Sequence, residues 1–105
     1  MMEFYSGAET MPAYILASLQ ITDAVAFEEY RRRVPAVIAA YGGRYLVRGG
    51  SIEALEGDAP GSRLVIVEFP DMPRLKAFYN SAEYQPLLEL RNRAAVSTLL
   101  AIEGV

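Results

Sequence analysis

The stretch VPAVIAAYGGRYLVRGG, residues 34–50, decides the fold because it holds a helix end, a turn and a strand in succession. Apolar residues recur at helical spacing up to Tyr41, and Gly42 then stands where helices commonly end in the left-handed conformation. The residues after this turn have the character of an edge strand. A second glycine pair, Gly49-Gly50, follows Arg48 and predicts a bulge or a close approach by another group.

The sequence on either side completes an alternation of strands and helices. We predict strands over 13–21, 44–56, 63–69 and 97–103, a helix after the Thr22-Asp23 cap, and short helices capped by Asp71 and Ser81. Pro35 should kink or break the first helix, because it removes the hydrogen bond to the Arg31 carbonyl. GDAPG, residues 57–61, predicts a hairpin loop. The order βαββααβ predicts an α+β, ferredoxin-like fold with a four-stranded antiparallel sheet.

The two strands predicted to be central are apolar on both faces. In this topology the first and third strands lie at the centre, and they carry AYILASLQI and RLVIVEF. An antiparallel sheet usually buries one face and leaves the other in water. The chain's own helices cover one face, and no further element remains for the second. We therefore expect a homodimer formed through the sheets, with Leu16, Leu64 and Ile66 near the interface if they share the uncovered face.

Composition excludes several classes of function. The 105 residues contain no cysteine and no histidine. Disulfides, thiolate catalysis, Ser-His-Asp triads and His-ligated metals are therefore excluded. The net charge is −3, and the Arg31–Arg33 run follows Glu28 and Glu29, which favours a solvated helix face over a nucleic-acid groove. We expect no cofactor and no metal, so any acid–base chemistry falls to Asp, Glu, Tyr, Lys or Arg.

Residues 1–11 stand apart from the single domain predicted for residues 12–105. They are mostly small and polar after Phe4-Tyr5, so we expect a mobile extension that the fold does not need. Met11-Pro12 resembles an ordinary protein start, which leaves open whether the extension is native. The sequence has neither a signal peptide nor an apolar run of the ~20 residues that a membrane span needs. We expect a cytoplasmic protein with no membrane partner.

Four separated motifs carry a resemblance to a known family: YGGRYLVRGG (41–50), EALEG (53–57), LVIVEFP (64–70) and YNSAEYQPLLELR (79–91). Together they resemble the family called domain of unknown function 1330, within the dimeric α+β barrel superfamily. The resemblance covers residues 12–105 and implies a ferredoxin-like subunit whose sheet packs against that of its twin. It implies no established activity. The superfamily includes monooxygenases, lactone isomerases, dye-type peroxidases and haem-degrading enzymes, and many of these use histidine, which this chain lacks.

Two charged residues stand out in the predicted strands. Arg48 precedes Gly49-Gly50, where the missing side chains leave room for a ligand, and its guanidinium could grip a carboxylate bidentately. The competing interpretation is a structural ion pair, for example with Glu68 on the neighbouring strand. Glu68 is the sole charge in LVIVEF. It is either paired or a catalytic acid or base with a raised pKa.

Tyrosines and a third charged residue complete the predicted site. The rings that could line a pocket are those of Tyr14, Tyr41, Tyr45, Tyr79 and Tyr84, although core or interface positions explain most of them. Arg91, on an otherwise apolar side of the last helix, could hold an anion or form a helix–strand salt bridge. We predict a cleft between the sheet and its helices, or at the mouth of the dimer barrel. Its lining would be Arg48, Glu68 and one or more of Tyr14, Tyr41 and Tyr79.

Two classes of function remain open. The first is a binder or cofactor-independent enzyme for a small carboxylate- or carbonyl-bearing metabolite, with Arg48 as the anchor and Glu68 or a tyrosine as the proton carrier. The second is a non-catalytic dimeric binding module whose polar residues are structural. A partly buried, unpaired Glu68 favours the enzyme, whereas a Glu68 locked to an arginine favours the module.

Overall fold

The structure, a computed structural model, describes residues 11–59 and 61–105. Its strands are β1 (Ala13–Ile21), β2 (Arg44–Arg48), β3 (Arg63–Phe69) and β4 (Ala95–Glu103), and its helices are α1 (Ala24–Ala40), α2 (Met72–Tyr79) and α3 (Gln85–Ala94). The expectation of a mobile N-terminal extension falls on residues 1–10, which lie outside the described residues. The βαββααβ order and the α+β class are confirmed.

The four strands form one antiparallel sheet in the order β2-β3-β1-β4. The prediction that the first and third strands are central is therefore confirmed. Alternation along β1 turns one set of side chains towards the helices, and these residues, Ala13, Ile15, Ala17 and Leu19, are all buried. Leu16 points to the opposite face, where it lies across from Ile66 on β3 and Leu100 on β4. This opposite surface, which carries no helix, is called the open face below.

Side-chain and glycine caps fix the ends of α1 as the sequence predicts. The Asp23 carboxylate accepts a hydrogen bond from the Ala26 amide at 3.1 Å. At the other end Gly42 has φ +83°, and the Gly43 amide donates to the Ile38 carbonyl at 2.9 Å. This left-handed glycine reverses the chain so that β2 begins at once.

Pro35 does not break α1, so the predicted interruption of the helix is not observed. The helix runs from Ala24 to Ala40 with Pro35 inside it. Pro35 has no N–H to offer the Arg31 carbonyl, but Arg48 supplies one instead, because its Nη2 donates to that oxygen at 2.7 Å. A side chain from the edge strand thus replaces the missing helical hydrogen bond.

The predicted second strand, 44–56, is wrong in its C-terminal part. β2 ends at Arg48, and Gly49 turns away with φ +73°. Arg48 already lies opposite Val65, so β3 has almost no length left to pair with residues beyond Gly50. The bulge also lies earlier than predicted, since the register shifts between Tyr45 and Val47. The connection to β3 is consequently longer than the predicted GDAPG loop.

The later elements follow the predicted caps with small shifts. Asp71 accepts from the Arg74 amide at 2.8 Å and starts α2. Ser81 accepts from the Tyr84 amide at 3.1 Å, so it caps a turn that precedes α3. β4 begins at Ala95, two residues before the predicted start. Within the described residues, no helix has the length and apolar character needed to cross a bilayer.

The replacement bond predicts coupling between Arg48 and Pro35. We expect Arg48→Met to destabilise the protein by about 1 kcal/mol, because the Arg31 carbonyl loses its donor. The loss should be smaller in a Pro35→Ala background, where the alanine amide can bond that carbonyl. Urea unfolding of the four proteins in a double-mutant cycle measures the coupling. Arg44→Met, on the same strand, is the control, and an equal effect of Arg48→Met in both backgrounds contradicts the assignment.

Candidate functional site

A small cavity of about 50 Å³ lies between the sheet and the helices. Most of its wall is apolar and comes from β1, β3, β4 and α1. The polar groups that reach it are three phenols and one guanidinium, those of Tyr30, Tyr45, Tyr84 and Arg91. A void of this size has room for one or two water-sized groups. The cavity is therefore small and mostly apolar, and its polar groups come from four side chains.

Arg91 is the charged group of this cavity. Its side chain projects from α3, and the residue is only 5% exposed. Nη1 donates to the Tyr84 hydroxyl at 2.5 Å, and Nη2 makes a long contact of 3.4 Å to the Asn92 amide oxygen. Nε is buried without a partner. None of the ion pairs formed between described residues includes Arg91, so the alternative of a helix–strand salt bridge is not observed.

Tyr84 connects Arg91 to the rest of the aromatic core. Its ring lies 4.4 Å from that of Phe78 and 5.9 Å from that of Tyr79, measured between centroids. Its hydroxyl is 2.9 Å from the Tyr30 hydroxyl. Burial, reinforced by Tyr30 and opposed by Arg91, raises the pKa of Tyr84 far above its ordinary value. Tyr84 is consequently a neutral phenol at physiological pH, suited to hydrogen bonding and unsuited to taking up a proton.

Tyr45 forms the wall of the cavity on the side of β2. Its ring lies 4.6 Å below the guanidinium carbon of Arg48. Burial raises the pKa of Tyr45, although the nearby positive charge of Arg48 opposes the shift. Tyr45, like Tyr84, therefore keeps its proton at neutral pH.

A larger groove of about 350 Å³ opens between α2 and β4. Lys76, Tyr79 and Asn80 line it on the α2 side, while β4 contributes an apolar wall. The groove and the inner cavity share Ile15 and Leu99. These two side chains separate an open apolar surface from the buried guanidinium.

The structure places Arg48 and Glu68 apart, so the predicted cleft does not bring them together. Arg44 lies opposite Glu68 and Arg48 lies opposite Val65. Arg48 therefore faces the helices and Glu68 the open face. The expected Arg48–Glu68 ion pair is wrong, since Glu68 accepts from Arg44 Nε at 2.7 Å and from the Tyr14 hydroxyl at 3.2 Å. The register of β2 on β3 produces this pairing, because it places Arg44 opposite Glu68, and the bulge then turns Arg48 to the helix face.

Glu68 has the environment of a structural carboxylate. The hydrogen bond from Arg44 lowers its pKa, with Tyr14 adding to the effect and burial opposing it. A carboxylate stabilised in its ionised form has no raised pKa to offer a general acid. The room expected beside Gly49 is also taken, because the Arg63 guanidinium packs against the backbone there.

Tyr45 and Tyr84 line the inner cavity, and the other three predicted tyrosines lie in three different places. Tyr14 lies on the open face, and Tyr41 donates to Glu83 at 3.1 Å at the C-terminal end of α1. Tyr79 lies in the groove and packs on Tyr84. Tyr30, which sequence reasoning treated only as part of the apolar stripe of α1, is a polar group of the inner cavity. Its helical spacing from Phe27 and Val34 was the available signal, but spacing alone does not reveal a hydroxyl partner.

Solved structures share this architecture at low sequence identity. A protein of unknown function from Rhodopseudomonas palustris superposes with a TM-score of 0.73 at 22% identity, covering 90% of this chain and 83% of that one. SnoaB, a cofactor-independent oxygenase from Streptomyces nogalater, gives 0.65 at 16% identity, with 89% and 92% covered. A candidate antibiotic biosynthesis monooxygenase from Caulobacter crescentus gives 0.66 at 16% identity, with 92% of both chains covered. These similarities establish the ferredoxin-like fold.

Similarity in sequence identifies the family. None of the curated proteins matches the chain. Residues 12–105 match the family described as Domain of unknown function (DUF1330). This range contains every strand and helix of the structure and both faces of its sheet. The chain belongs to the DUF1330 family.

Proposed function

We propose that the protein binds a small carboxylate- or carbonyl-bearing metabolite, with Arg91 as the anchor at the inner end of the site. The observation that supports this most directly is the buried guanidinium with an unpartnered Nε and no ion pair to a described carboxylate. Arg48, the predicted anchor, is engaged with a backbone carbonyl and lies outside the cavity wall. The anchoring role therefore passes to Arg91.

The energetics of a buried charge favour this assignment. A guanidinium removed from water without a counter-charge costs several kcal/mol. The neutral oxygens of Tyr84, Tyr30 and Asn92 offset only part of this cost. A ligand carboxylate would supply two acceptor oxygens in the fork geometry that arginine prefers. A carbonyl oxygen would satisfy fewer donors and should bind more weakly.

The shape of the site divides the ligand into two parts. The inner cavity holds little more than a carboxylate group, whereas the groove beside α2 holds a larger apolar body. Movement of Ile15 or Leu99 would join the two spaces, since these two side chains line both of them. We infer a ligand with one anionic end and a mainly apolar remainder.

The tyrosine environments favour binding over proton transfer. Tyr84 and Tyr45 have raised pKa values, and Glu68 is held in its ionised form on the opposite face of the sheet. The cavity therefore offers hydrogen bonds to a bound oxygen and no base poised near neutral pH. A non-catalytic binding module is the function that these groups support best.

We also propose that two copies of the chain pack through their open faces. Leu16, Leu64 and Ile66 share this face with Leu100 and Ile102, which are 51% and 43% exposed. An apolar surface of this kind in water is unfavourable, and no described element of the chain covers it. A second copy offers the same surface in an isologous arrangement. The Glu68–Arg44 pair would then lie at the interface.

Ligand binding is tested by replacing the anchor. A carboxylic acid that binds the protein, at a free concentration of 100 times its dissociation constant, should stabilise the wild type by about 2.7 kcal/mol. Arg91→Met keeps the side-chain volume, so we expect little loss of stability and loss of the carboxylate-dependent shift in melting temperature. Arg93→Met, on the same helix but exposed, is the matched control. An acid that stabilises wild type and Arg91→Met equally would show that Arg91 is not the anchor.

The dimer is tested by placing a charge on the open face. Sedimentation of the wild type at micromolar concentration should give twice the chain mass. Ile66→Glu should give the monomer mass, because a carboxylate in an apolar interface is costly to desolvate. Leu55→Glu adds the same charge at a side chain that is 88% exposed in the β2–β3 connection, and it should leave the dimer intact. A wild-type monomer, or an Ile66→Glu dimer, would refute the packing.

A further inference from the structure

Three arginine side chains gather where the β2–β3 edge of the sheet lies beneath α1. Arg31 comes from the helix, Arg48 from β2 and Arg63 from the first position of β3. Arg48 is tied to the helix by its 2.7 Å bond to the Arg31 carbonyl. Burial lowers the pKa of Arg63, and the positive charges of Arg31 and Arg48 lower it further. Arg63 therefore lies close enough to Arg31 and Arg48 to be affected by the positive charge of each.

The Arg63 guanidinium is held in place by apolar and backbone contacts. Its carbon lies 5.4 Å from the centroid of the Phe27 ring. Its nitrogens pack against the backbone of Gly49, where a Cβ atom would collide with them. Nε is buried without a hydrogen-bond partner among the described residues. The chain therefore positions this cation without neutralising it.

The negative charge at this place is smaller than the positive charge. Glu28 binds Arg31 through two hydrogen bonds, of 3.1 and 2.7 Å. The charge of Glu28 acts on Arg63 as well as on Arg31. Two of the three guanidinium groups therefore share this carboxylate. Arg31 and Glu28 are well exposed, at 42% and 59% of their side-chain surface, so an anion from solvent can reach them.

We propose that Arg31, Arg48 and Arg63 form a phosphate-binding site, suited to the dianionic phosphate monoester of a small metabolite. A dianion matches the excess of positive charge, and the several oxygens of a phosphate can accept from more than one guanidinium at once. A carboxylate carries one charge and two oxygens, so it fits the cluster less well. Tyr45 borders both this site and the inner cavity, but Arg91 takes no part in it. The inference therefore stands independently of the function proposed above.

The test is a titration with inorganic phosphate at constant ionic strength, followed by calorimetry and by phosphorus NMR. We expect saturable binding to the wild type and weaker binding of acetate under the same conditions. Arg63→Met should weaken phosphate binding by about tenfold or more, a loss of about 1.4 kcal/mol. Arg33 is an exposed arginine on α1, the helix that carries Arg31, and Arg33→Met should leave the affinity for phosphate unchanged. Arg63 is chosen because Arg48→Met also disturbs α1.

A second variant, Glu28→Gln, should change the affinity for phosphate in the direction opposite to Arg63→Met. Glu28→Gln removes the competing carboxylate and should tighten phosphate binding several-fold, which a variant that merely unfolds cannot do. Absence of saturable binding, equal affinity in Arg63→Met and wild type, or acetate binding as tight as phosphate would overturn the proposal. Arg91→Met should bind phosphate like the wild type. If Arg91→Met abolishes phosphate binding and Arg63→Met retains it, the anion binds in the inner cavity and the arginine cluster is not its site.

Discussion

Pairing of β1 on both of its edges is the constraint on which the rest of the structure depends. β3 and β4 both align with β1 in antiparallel register, so one alternation of side chains sets the two faces of the sheet. Ala13, Ile15, Ala17 and Leu19 turn towards the helices and form the floor of the core. Tyr14 and Leu16 turn the other way and meet the side chains of the open face. A slip of one residue would exchange these two sets and destroy both the core and the proposed interface.

The partners of the arginine side chains differ with the position of each residue in the fold. Arg44, at the exposed edge, forms an ion pair with Glu68. Arg48 satisfies a carbonyl that a proline leaves open. Arg91 is buried among phenols with no ion pair to a described carboxylate, and Arg63 packs on an aromatic ring and a glycine. The Arg44 pair is complete within the chain, and Arg48 uses its Nη2 for the carbonyl, whereas Arg91 and Arg63 each have a buried Nε without a partner among the described residues. The incomplete environments are the places where a ligand would lower the free energy, so they carry the functional proposals.

The two proposed anion sites lie on either side of Tyr45 but differ in chemistry. The Arg91 site is deep, small and mostly apolar, which favours a single carboxylate at the end of a hydrophobic molecule. The arginine cluster is open to solvent and has an excess of positive charge, which favours a dianion. The distinction follows from burial: desolvation restricts the first site to a tightly paired group, whereas the second can bind a hydrated anion. The structural similarity to SnoaB and to the Caulobacter protein, at 16% sequence identity, establishes a shared fold only. The chemical arguments therefore come from this chain's own residues.

The sequence by itself determined the element order, the helix caps at Asp23 and Asp71, the left-handed turn at Gly42 and the two central strands. These features depend on periodicity and on hydrogen bonds between near neighbours, so the sequence records them directly. It also marked Arg91 as a charge on an apolar helix side. The partners of the charged residues were decided only by the tertiary structure. The register of β2 on β3 places Arg44 opposite Glu68, and a bulge between Tyr45 and Val47 sends Arg48 to the helix face. Both depend on contacts between distant segments. The same long-range packing brings the Tyr30 hydroxyl to Tyr84 and leaves Arg91 in a cavity without a counter-charge from the described chain.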